Sequence, residues 1–269
     1  MPKKARAKKQ LDRLPNAPLA EVVFEMRWKL QGNAPFLTDP GILPLTAAFT
    51  PRAAKLGFST FKDMARAEEV IGHQVTRRYF TAPDVSFPLV QIGPGVFASN
   101  QSAEYSWPAF KSQTLRALKI FFDSYPKLKG FPFEPIHMEL RYIDVFDDSL
   151  LGTLDLLEFA NRGTAMAINI PDSLFDKKLF TGSFDGRLLI QKELKNGSNF
   201  LIDFASGLRA PAERILRLES KVIAQANVPK FRGASKFMPV AEKWLSDAHD
   251  VTSPFFKSFL TSEVMDKFS

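Results

Sequence analysis

A five-residue pattern that occurs twice constrains the fold of this chain more than any other feature. The pattern is apolar-Glu-apolar-Arg-aromatic, and its copies are residues 24–28 (FEMRW) and 138–142 (MELRY). Alternation of apolar and polar residues with period two is typical of a β-strand with one packed face. Each copy therefore predicts a strand that carries its Glu and Arg side chains on the face opposite the core.

The predicted elements follow a similar order in both halves of the chain. In the first half we predict a strand at 20–30, a helix at 42–54, strands at 70–81, 87–92 and 96–100, and a helix at 108–122. In the second half we predict a strand at 136–146, a helix at 151–160, a hairpin of 187–194 with 200–205, a strand at 214–224 and a helix at 238–268. The shared order and the repeated pattern together indicate an internal duplication.

We therefore predict an α+β fold of two related strand-helix-hairpin-helix units with mainly antiparallel sheets. The predicted domains are a basic disordered tail at 1–15, an N-terminal repeat at 16–130 and a C-terminal repeat at 131–269. One continuous domain that contains both repeats is the alternative.

The hairpin of the second half allows a prediction of register. A two-residue turn would place apolar residues opposite polar ones. A three-residue loop at 195–197, with its glycine in the left-handed conformation, instead sets Ile190 opposite Ile202 and Leu188 opposite Phe204. We predict this second register.

Most of the net charge of +7 lies in a short basic segment. Residues 1–13 carry +5, and the remaining residues carry 30 basic and 28 acidic side chains, so the body of the chain is almost neutral. We expect residues 1–13 to be mobile, because they have little apolar content. Contact with nucleic acid through this tail is a hypothesis, and it would depend on these cations: Lys3, Lys4, Arg6, Lys8 and Lys9.

Composition and motifs exclude several kinds of site. The chain has no cysteine, which excludes disulfides, thiolate metal sites and cysteine nucleophiles. Its three histidines lie on separate predicted elements, so we predict no metal site and no cofactor. We predict neither a membrane span nor a signal peptide, and the sequence contains no nucleophile elbow, Walker loop or Rossmann fingerprint. We interpret residues 93–95 (GPG) as a hairpin turn. We expect a cytoplasmic protein with no assigned catalytic residue.

Several short segments resemble a sporadically distributed bacterial family of unknown function. They are residues 16–21 (NAPLAE) with Arg27, residues 90–100 (VQIGPGVFASN), Tyr105, Trp107, Phe110, and residues 244–250 (WLSDAHD) with Phe256 and Leu260. The resemblance spans nearly the whole body of the chain. It implies membership of a family without an established active site, and the sporadic distribution of that family implies a part in an accessory or defence-type bacterial system.

Charged residues alternate along three predicted strands and form the candidate ligand-binding set. They are Glu25, Arg27, Lys29, Glu139, Arg141, Arg217, Glu219 and Lys221. One interpretation is a solvated sheet face with cross-strand ion pairs. The alternative resembles the triphosphate tunnel enzymes, in which acidic residues hold a divalent metal and basic residues hold phosphate. The sequence departs from that pattern at Val23, where a second glutamate is expected.

Phenylalanine is enriched near the end of the sequence. In one helix, four rings would point in too many directions for a single buried stripe, unless breaks at Pro254 and Ser262 give the pieces different faces. We therefore predict that they contribute to an interface with a partner or a second copy: Phe255, Phe256, Phe259 and Phe268.

Two functions remain open from the sequence. The first is a non-enzymatic binding or assembly protein with a protein partner or self-association and no membrane contact. The alternative is a metal-dependent phosphohydrolase or nucleotide-binding enzyme that uses the Glu/Arg/Lys strand face. Convergence of the charged strand residues in one cavity would favour the enzyme, and exposed pairing among them would favour the binding protein.

Overall fold

The structure is a computed structural model, and it describes eight stretches of the chain. They are residues 17–33, 37–66, 72–102, 104–129, 133–169, 186–209, 213–224 and 234–268. The predicted basic tail, including Lys3, Lys4, Arg6, Lys8 and Lys9, lies outside the described residues.

Nine strands of the described part of the chain form one continuous antiparallel sheet. They are β1 (Leu19–Trp28), β2 (Thr60–Asp63), β3 (Arg77–Phe80), β4 (Leu89–Gly93), β5 (Val96–Gln101), β6 (Pro135–Asp147), β7 (Arg187–Glu193), β8 (Asn199–Arg209) and β9 (Glu213–Ala224). Their spatial order is β2-β3-β4-β5-β1-β6-β9-β8-β7. The sheet and the helices that accompany it confirm the α+β class.

The two halves of the sheet have matching strand orders on either side of the β1/β6 pair. In each half the first strand pairs with the last strand of a meander, β5 for β1 and β9 for β6. The two copies of the repeated pattern therefore occupy equivalent places in the two halves. An origin by duplication stays a prediction. Strand β2 was not predicted, and the predicted strand at 70–81 is observed only as β3.

Among the described residues, six helices accompany the sheet, and their core-facing residues pack against one of its faces. They are α1 (Ile42–Lys55), α2 (Trp107–Ser124), α3 (Asp148–Leu151), α4 (Leu156–Gly163), α5 (Ala234–Phe259) and α6 (Ser262–Asp266). Local sequence explains their starts: α2 has a proline in its first turn, and α4 begins with a capping box of Asp155 and Glu158. None of the described helices is long and apolar enough to cross a membrane.

The core consists of two apolar clusters on the helix-covered face. The first joins β1, β4, β5 and the start of β6 to α1, α2 and α5, and it includes Phe24, Trp28 and Phe121. The second joins the end of β6 and strands β8 and β9 to α3, α4 and α6, and it includes Phe146 and Phe204. Within each strand of the core, every second residue faces the helices, as the sequence alternation predicts.

A buried carboxylate fixes the chain just before α1. Asp39 accepts hydrogen bonds from Trp28 Nε1 at 3.0 Å, from the Tyr125 hydroxyl at 2.9 Å and from the backbone amide of Gly41 at 2.8 Å. The amide of Gly95, in the β4–β5 turn, donates a longer bond of 3.4 Å. One side chain thus joins β1, the start of α1, the end of α2 and a hairpin turn.

The predicted register of the second hairpin is confirmed. Ile190 lies opposite Ile202, and Leu188 lies opposite Phe204. Gly197 has a φ of +77°, the left-handed conformation that the three-residue loop requires. The short turn between β4 and β5 also confirms the interpretation of residues 93–95.

The C-terminal phenylalanines pack within their own chain. Helix α5 continues through Pro254 to Phe259, and α6 begins at Ser262. The helical segment predicted at 238–268 is therefore interrupted just before Ser262, one of the two break positions considered, and not at Pro254. Phe259 and Phe268 are buried in the second cluster, and two further rings are half-buried against it: Phe255 and Phe256. Because the break gives the two pieces different faces, one chain accommodates all four rings, and their exposure lends no support to the predicted interface.

Candidate functional site

The register of the sheet brings seven of the eight predicted charged strand residues onto one face, opposite the helices, together with three residues that were not predicted. We call this group of side chains the polar face: Glu25, Arg27, His137, Glu139, Arg141, Arg187, Asp203, Arg217, Glu219 and Lys221. Arg141 lies opposite Lys221, and Glu219 lies opposite Asp203. Residues that are far apart in the sequence therefore form a continuous field across β1, β6, β9, β8 and β7.

The two pattern glutamates meet at the centre of the sheet. Glu25 lies directly opposite Glu139 in the β1/β6 pair. Like charges in this position repel each other unless cations compensate them. Each glutamate has an arginine two residues further along its own strand: Arg27 Nε donates to Glu25 Oε1 at 2.5 Å, and Arg141 Nε lies 3.4 Å from Glu139 Oε1. The repeated spacing therefore supplies the compensating charge on each strand.

Glu139 lies in a buried cationic environment. It is 8% exposed, and His137 Nε2 lies 3.6 Å from its Oε2. Burial acts to raise the pKa of Glu139, but His137, Arg141 and Lys221 outweigh burial and hold that pKa below its usual value. Within the described part of the chain, the buried atoms His137 Nε2 and Arg141 Nε have no hydrogen-bond partner. Glu139 is therefore an ionised carboxylate stabilised by charge and not by short hydrogen bonds.

Two arginines of the polar face pair with Asp203. Arg187 donates to both of its oxygens, from Nε at 2.7 Å and from Nη2 at 2.5 Å, and Arg217 Nη2 donates at 3.3 Å. Asp203 is 3% exposed. The hydrogen bonds from Arg187 lower the pKa of Asp203, with smaller contributions from the charges of Arg217 and Lys221.

Glu219 completes the field beside Asp203. Its Oε1 accepts a hydrogen bond from Lys221 Nζ at 2.8 Å, and its Oε2 lies 3.8 Å from Arg217 Nη1. Arg217 thus contacts both Glu219 and Asp203. The carboxylates of β8 and β9 share one set of cations and form a single network.

The cations of the polar face are more exposed than its carboxylates. Side-chain exposure is 4% for Asp203 and 7% for Glu219, but 62% for Arg187 and 41% for Arg217. The same order holds for the two pattern pairs, Glu25 with Arg27 and Glu139 with Arg141. The face therefore presents guanidinium groups to its surroundings over a layer of buried negative charge.

Seven of the eight predicted site residues belong to the polar face. The eighth, Lys29, lies beyond the end of β1 and pairs at 3.8 Å with Glu134. Sequence reasoning missed His137, Arg187 and Asp203. The signal for Asp203 was available, because the predicted hairpin register places it on the face opposite Ile202.

A second polar cluster lies on the helix-covered face and was not predicted. The hydroxyl groups of Tyr105 and Tyr142 lie 2.9 Å apart, and the Tyr142 hydroxyl lies 2.8 Å from His249 Nδ1. The His249 ring stacks on Trp107 with centroids 3.9 Å apart. Burial raises the pKa of both tyrosines, so they remain neutral hydroxyl groups near neutral pH. The cluster joins β6, α2 and α5, and it orients His249.

The described residues offer no ready metal centre. Among them, no group of three or more histidine, aspartate or glutamate side chains is placed to hold a metal ion. Glu25 and Glu139 lie opposite each other on neighbouring strands, but each faces its own arginine. The chemistry that this arrangement supports is ion pairing and hydrogen-bond donation.

Comparison with known proteins adds no assignment. No protein-family model, curated protein or solved structure matches the chain.

Proposed function

We propose that this chain is a non-enzymatic binding or assembly protein whose polar face engages a protein partner. The observation that carries the proposal is the layering of charge on that face, with buried carboxylates beneath exposed cations. Membership of the sporadically distributed bacterial family, and a part in an accessory or defence-type system, are further proposals that rest on the sequence resemblance.

Buried carboxylates make arginines effective binding groups. Asp203 holds the Arg187 guanidinium through two hydrogen bonds and contacts Arg217 through a third. A side chain held in this way loses less conformational freedom when a partner binds. Arginine is also among the residue types that contribute most to protein interfaces, because its planar group donates several hydrogen bonds at once.

The charge balance of the polar face favours protein over nucleic acid as its partner. Five cations oppose four carboxylates on this face, so it lacks the excess positive charge that binding to a phosphate backbone uses. A partner surface with a few carboxylates would complement the exposed guanidinium edges of Arg27 and Arg217. Nucleic-acid contact through the basic tail stays a separate hypothesis.

The enzyme alternative has less support from this geometry. A metal-dependent phosphohydrolase needs carboxylates that are free to bind the metal and cations that are free to bind phosphate. Here Asp203 and Glu219 are engaged by Arg187, Arg217 and Lys221. Binding of a divalent ion would first have to break these pairs.

The first test measures hydrolysis. The purified chain is incubated with nucleoside triphosphates or pyrophosphate and Mg²⁺ or Mn²⁺, and phosphate release is compared with that of Glu139→Gln and Glu219→Gln. We expect no metal-dependent release above the level of the variants. Metal-dependent turnover that either substitution abolishes would replace the binding proposal with the enzyme alternative.

The second test measures binding through the polar face. A partner captured from native cells is purified and titrated against the wild type and an Arg27→Ser/Arg217→Ser variant. We expect the double variant to bind at least about tenfold more weakly, since interface arginines commonly contribute more than 1 kcal/mol each. The matched control, Lys119→Ser/Lys243→Ser, removes two exposed cations from α2 and α5 and should bind like the wild type. Equal binding by all three proteins would rule out the polar face as the binding surface.

A further inference from the structure

Strand β7 lies at one end of the sheet and is exposed along its length. Within the described residues it pairs only with β8. Six of its seven residues are exposed, including two large apolar side chains, Leu189 at 57% and Ile190 at 40%. It contains no proline, and its pairing with β8 is free of bulges. Two features that usually protect an edge strand from pairing, a proline and a bulge, are therefore missing from β7, and its charged residues are Arg187, Lys192 and Glu193.

The pairing with β8 determines which backbone groups of β7 are available. Ser206 donates to the carbonyl of Gly186, and Leu194 donates to the carbonyl of Ser198. In an antiparallel pair, hydrogen-bonded residues alternate with residues whose N–H and C=O groups point to the other side. Residues 186 and 194 bond towards β8, so the even-numbered residues between them do so as well. The odd-numbered residues turn their backbone groups to the free edge: Arg187, Leu189, Gln191 and Glu193.

The sequence of β7 is complementary to itself in one antiparallel register. If two copies pair about Ile190, Arg187 of each copy lies opposite Glu193 of the other, and Leu189 lies opposite Gln191. All residues with outward-facing backbone groups then pair with one another, as an antiparallel ladder requires. Ile190 lies opposite its own copy in a position without hydrogen bonds, where side chains come closest. Backbone parity, charge and apolar contact thus agree on the same register.

We propose that β7 pairs with β7 of a second copy of this chain in this register and joins two nine-stranded sheets into one. This inference rests on the proposed binding function and names a second copy of the chain as the protein that binds strand β7. Glu193 of the second copy approaches the Arg187 guanidinium, which Asp203 already orients on the polar face. Two such contacts, related by the two-fold axis, fix the register and exclude a slipped pairing.

The other end of the sheet lacks this complementarity. Strand β2 has only four residues, Thr60–Asp63. Antiparallel self-pairing about Phe61 would place Thr60 opposite Lys62, and self-pairing about Lys62 would place Lys62 opposite its own copy. It offers no opposite charges in register and a shorter ladder. The inference is therefore specific to β7.

Single-cysteine variants test the register directly, because the natural chain contains no cysteine. In the proposed pair, Ile190→Cys places two thiols opposite each other at a distance that a disulfide can span. Lys192→Cys lies on the same strand face but faces Leu188 of the other copy, so its two thiols are too far apart. Under mild oxidation of the full chain, we expect a covalent dimer from Ile190→Cys and little from Lys192→Cys. Equal cross-linking of both variants would indicate random collision and would overturn the proposed register.

Sedimentation of the unmodified chain tests the association itself. We expect a reversible dimer for the wild type and about tenfold weaker association for Glu193→Lys, which places like charges opposite each other twice. Arg187→Glu/Glu193→Lys restores opposite charges and should recover part of the loss. A wild-type monomer at all accessible concentrations would overturn the proposal. A wild-type dimer that Glu193→Lys leaves unchanged would also overturn it, because the copies would then meet elsewhere.

The outcome is separable from that of the proposed function. A monomer that still binds a partner through Arg27 and Arg217 would remove the β7 pairing and leave the binding function standing. A dimer with metal-dependent hydrolysis would remove the non-enzymatic function and leave the β7 pairing standing.

Discussion

Two aspartates on opposite faces of the sheet are almost equally buried and behave in opposite ways. Asp203, on the polar face, is 3% exposed, and Arg187 and Arg217 keep its pKa below the ordinary value. Asp144, on the helix-covered face, is 4% exposed, and burial raises its pKa to about 8. Among the described residues, Asp144 has no ion pair, whereas Asp203 has two.

The difference shows that burial alone does not decide the charge of a carboxylate in this protein. Desolvation disfavours the ionised form on both faces, and the nearby cations of the polar face reverse that preference for Asp203. On the polar face, Asp203 and Glu139 therefore stay charged near neutral pH. The helix-covered face keeps Asp144 protonated up to a pH of about 8.

Replacement of Asp144 should give the largest change in stability. The folded pKa of about 8 exceeds the ordinary value of 3.8, so the wild type loses stability as pH rises between these values. Asp144→Asn removes this titration. We expect it to raise the free energy of unfolding at pH 8 by about 2–5 kcal/mol and to have little effect at pH 4, as measured by urea unfolding.

Asp203→Asn is the matched control for this experiment and should have the opposite sign. The folded pKa of Asp203 is lowered, so its contribution to stability is present at neutral pH and disappears as pH falls through that pKa. We expect a loss of about 1–2 kcal/mol at pH 7, because both cations that it leaves behind are partly solvated. The same sign for both substitutions at pH 8 would contradict the comparison.

A third buried carboxylate sharpens the comparison, because neutral donors surround it. Asp39→Ala leaves Trp28 Nε1, the Tyr125 hydroxyl and the amide of Gly41 without their acceptor. We expect a loss of about 2–4 kcal/mol in urea unfolding, since buried donors without acceptors are costly. Asp39→Asn keeps an acceptor oxygen and should lose less. Equal losses for the two variants would mean that the acceptor atoms are unimportant and that packing alone fixes this position.

The smallest effect is expected for an exposed pair outside both faces of the sheet. Lys119 and Asp123 form an i,i+4 pair on α2 at 2.7 Å, with side chains 66% and 45% exposed. Lys119→Ala should lower the free energy of unfolding by no more than about 0.5 kcal/mol, because water and salt screen such pairs. A loss as large as that of Asp203→Asn would show that depth does not determine the strength of ion pairs in this protein.

The sequence predicts the strands and their faces better than it predicts ionic partners. Alternation placed Glu139 and Arg141 on one face correctly, and turn geometry gave the register of β7 and β8. The same alternation assigns Asp144 to the core face, yet period two alone does not reveal which side chain will neutralise a buried charge. The partners of Asp203 come from β7 and β9, and only the pairing of three strands brings them together.

The packing of helices was the least predictable part. The four C-terminal phenylalanines left two outcomes open, an external contact made by one helix or a break that gives its pieces different faces. The break at Leu260 and Thr261 changes the direction of the chain and turns Phe268 into the second cluster. A backbone hydrogen bond from Thr261 to the carbonyl of Gly163 fixes this break, and sequence periodicity does not detect a contact of this kind.

Helix α5 connects the two apolar clusters and so affects the cooperativity of unfolding. Its 26 residues extend about 39 Å, with Phe237 and Trp244 in the first cluster and Phe255 and Phe259 against or within the second. If either cluster unfolds, α5 loses part of the apolar contacts that hold it on the sheet. Strands β1 and β6 also connect the same two regions through the sheet. The two clusters should therefore behave as one cooperative unit, with a single unfolding transition instead of two separate melting events.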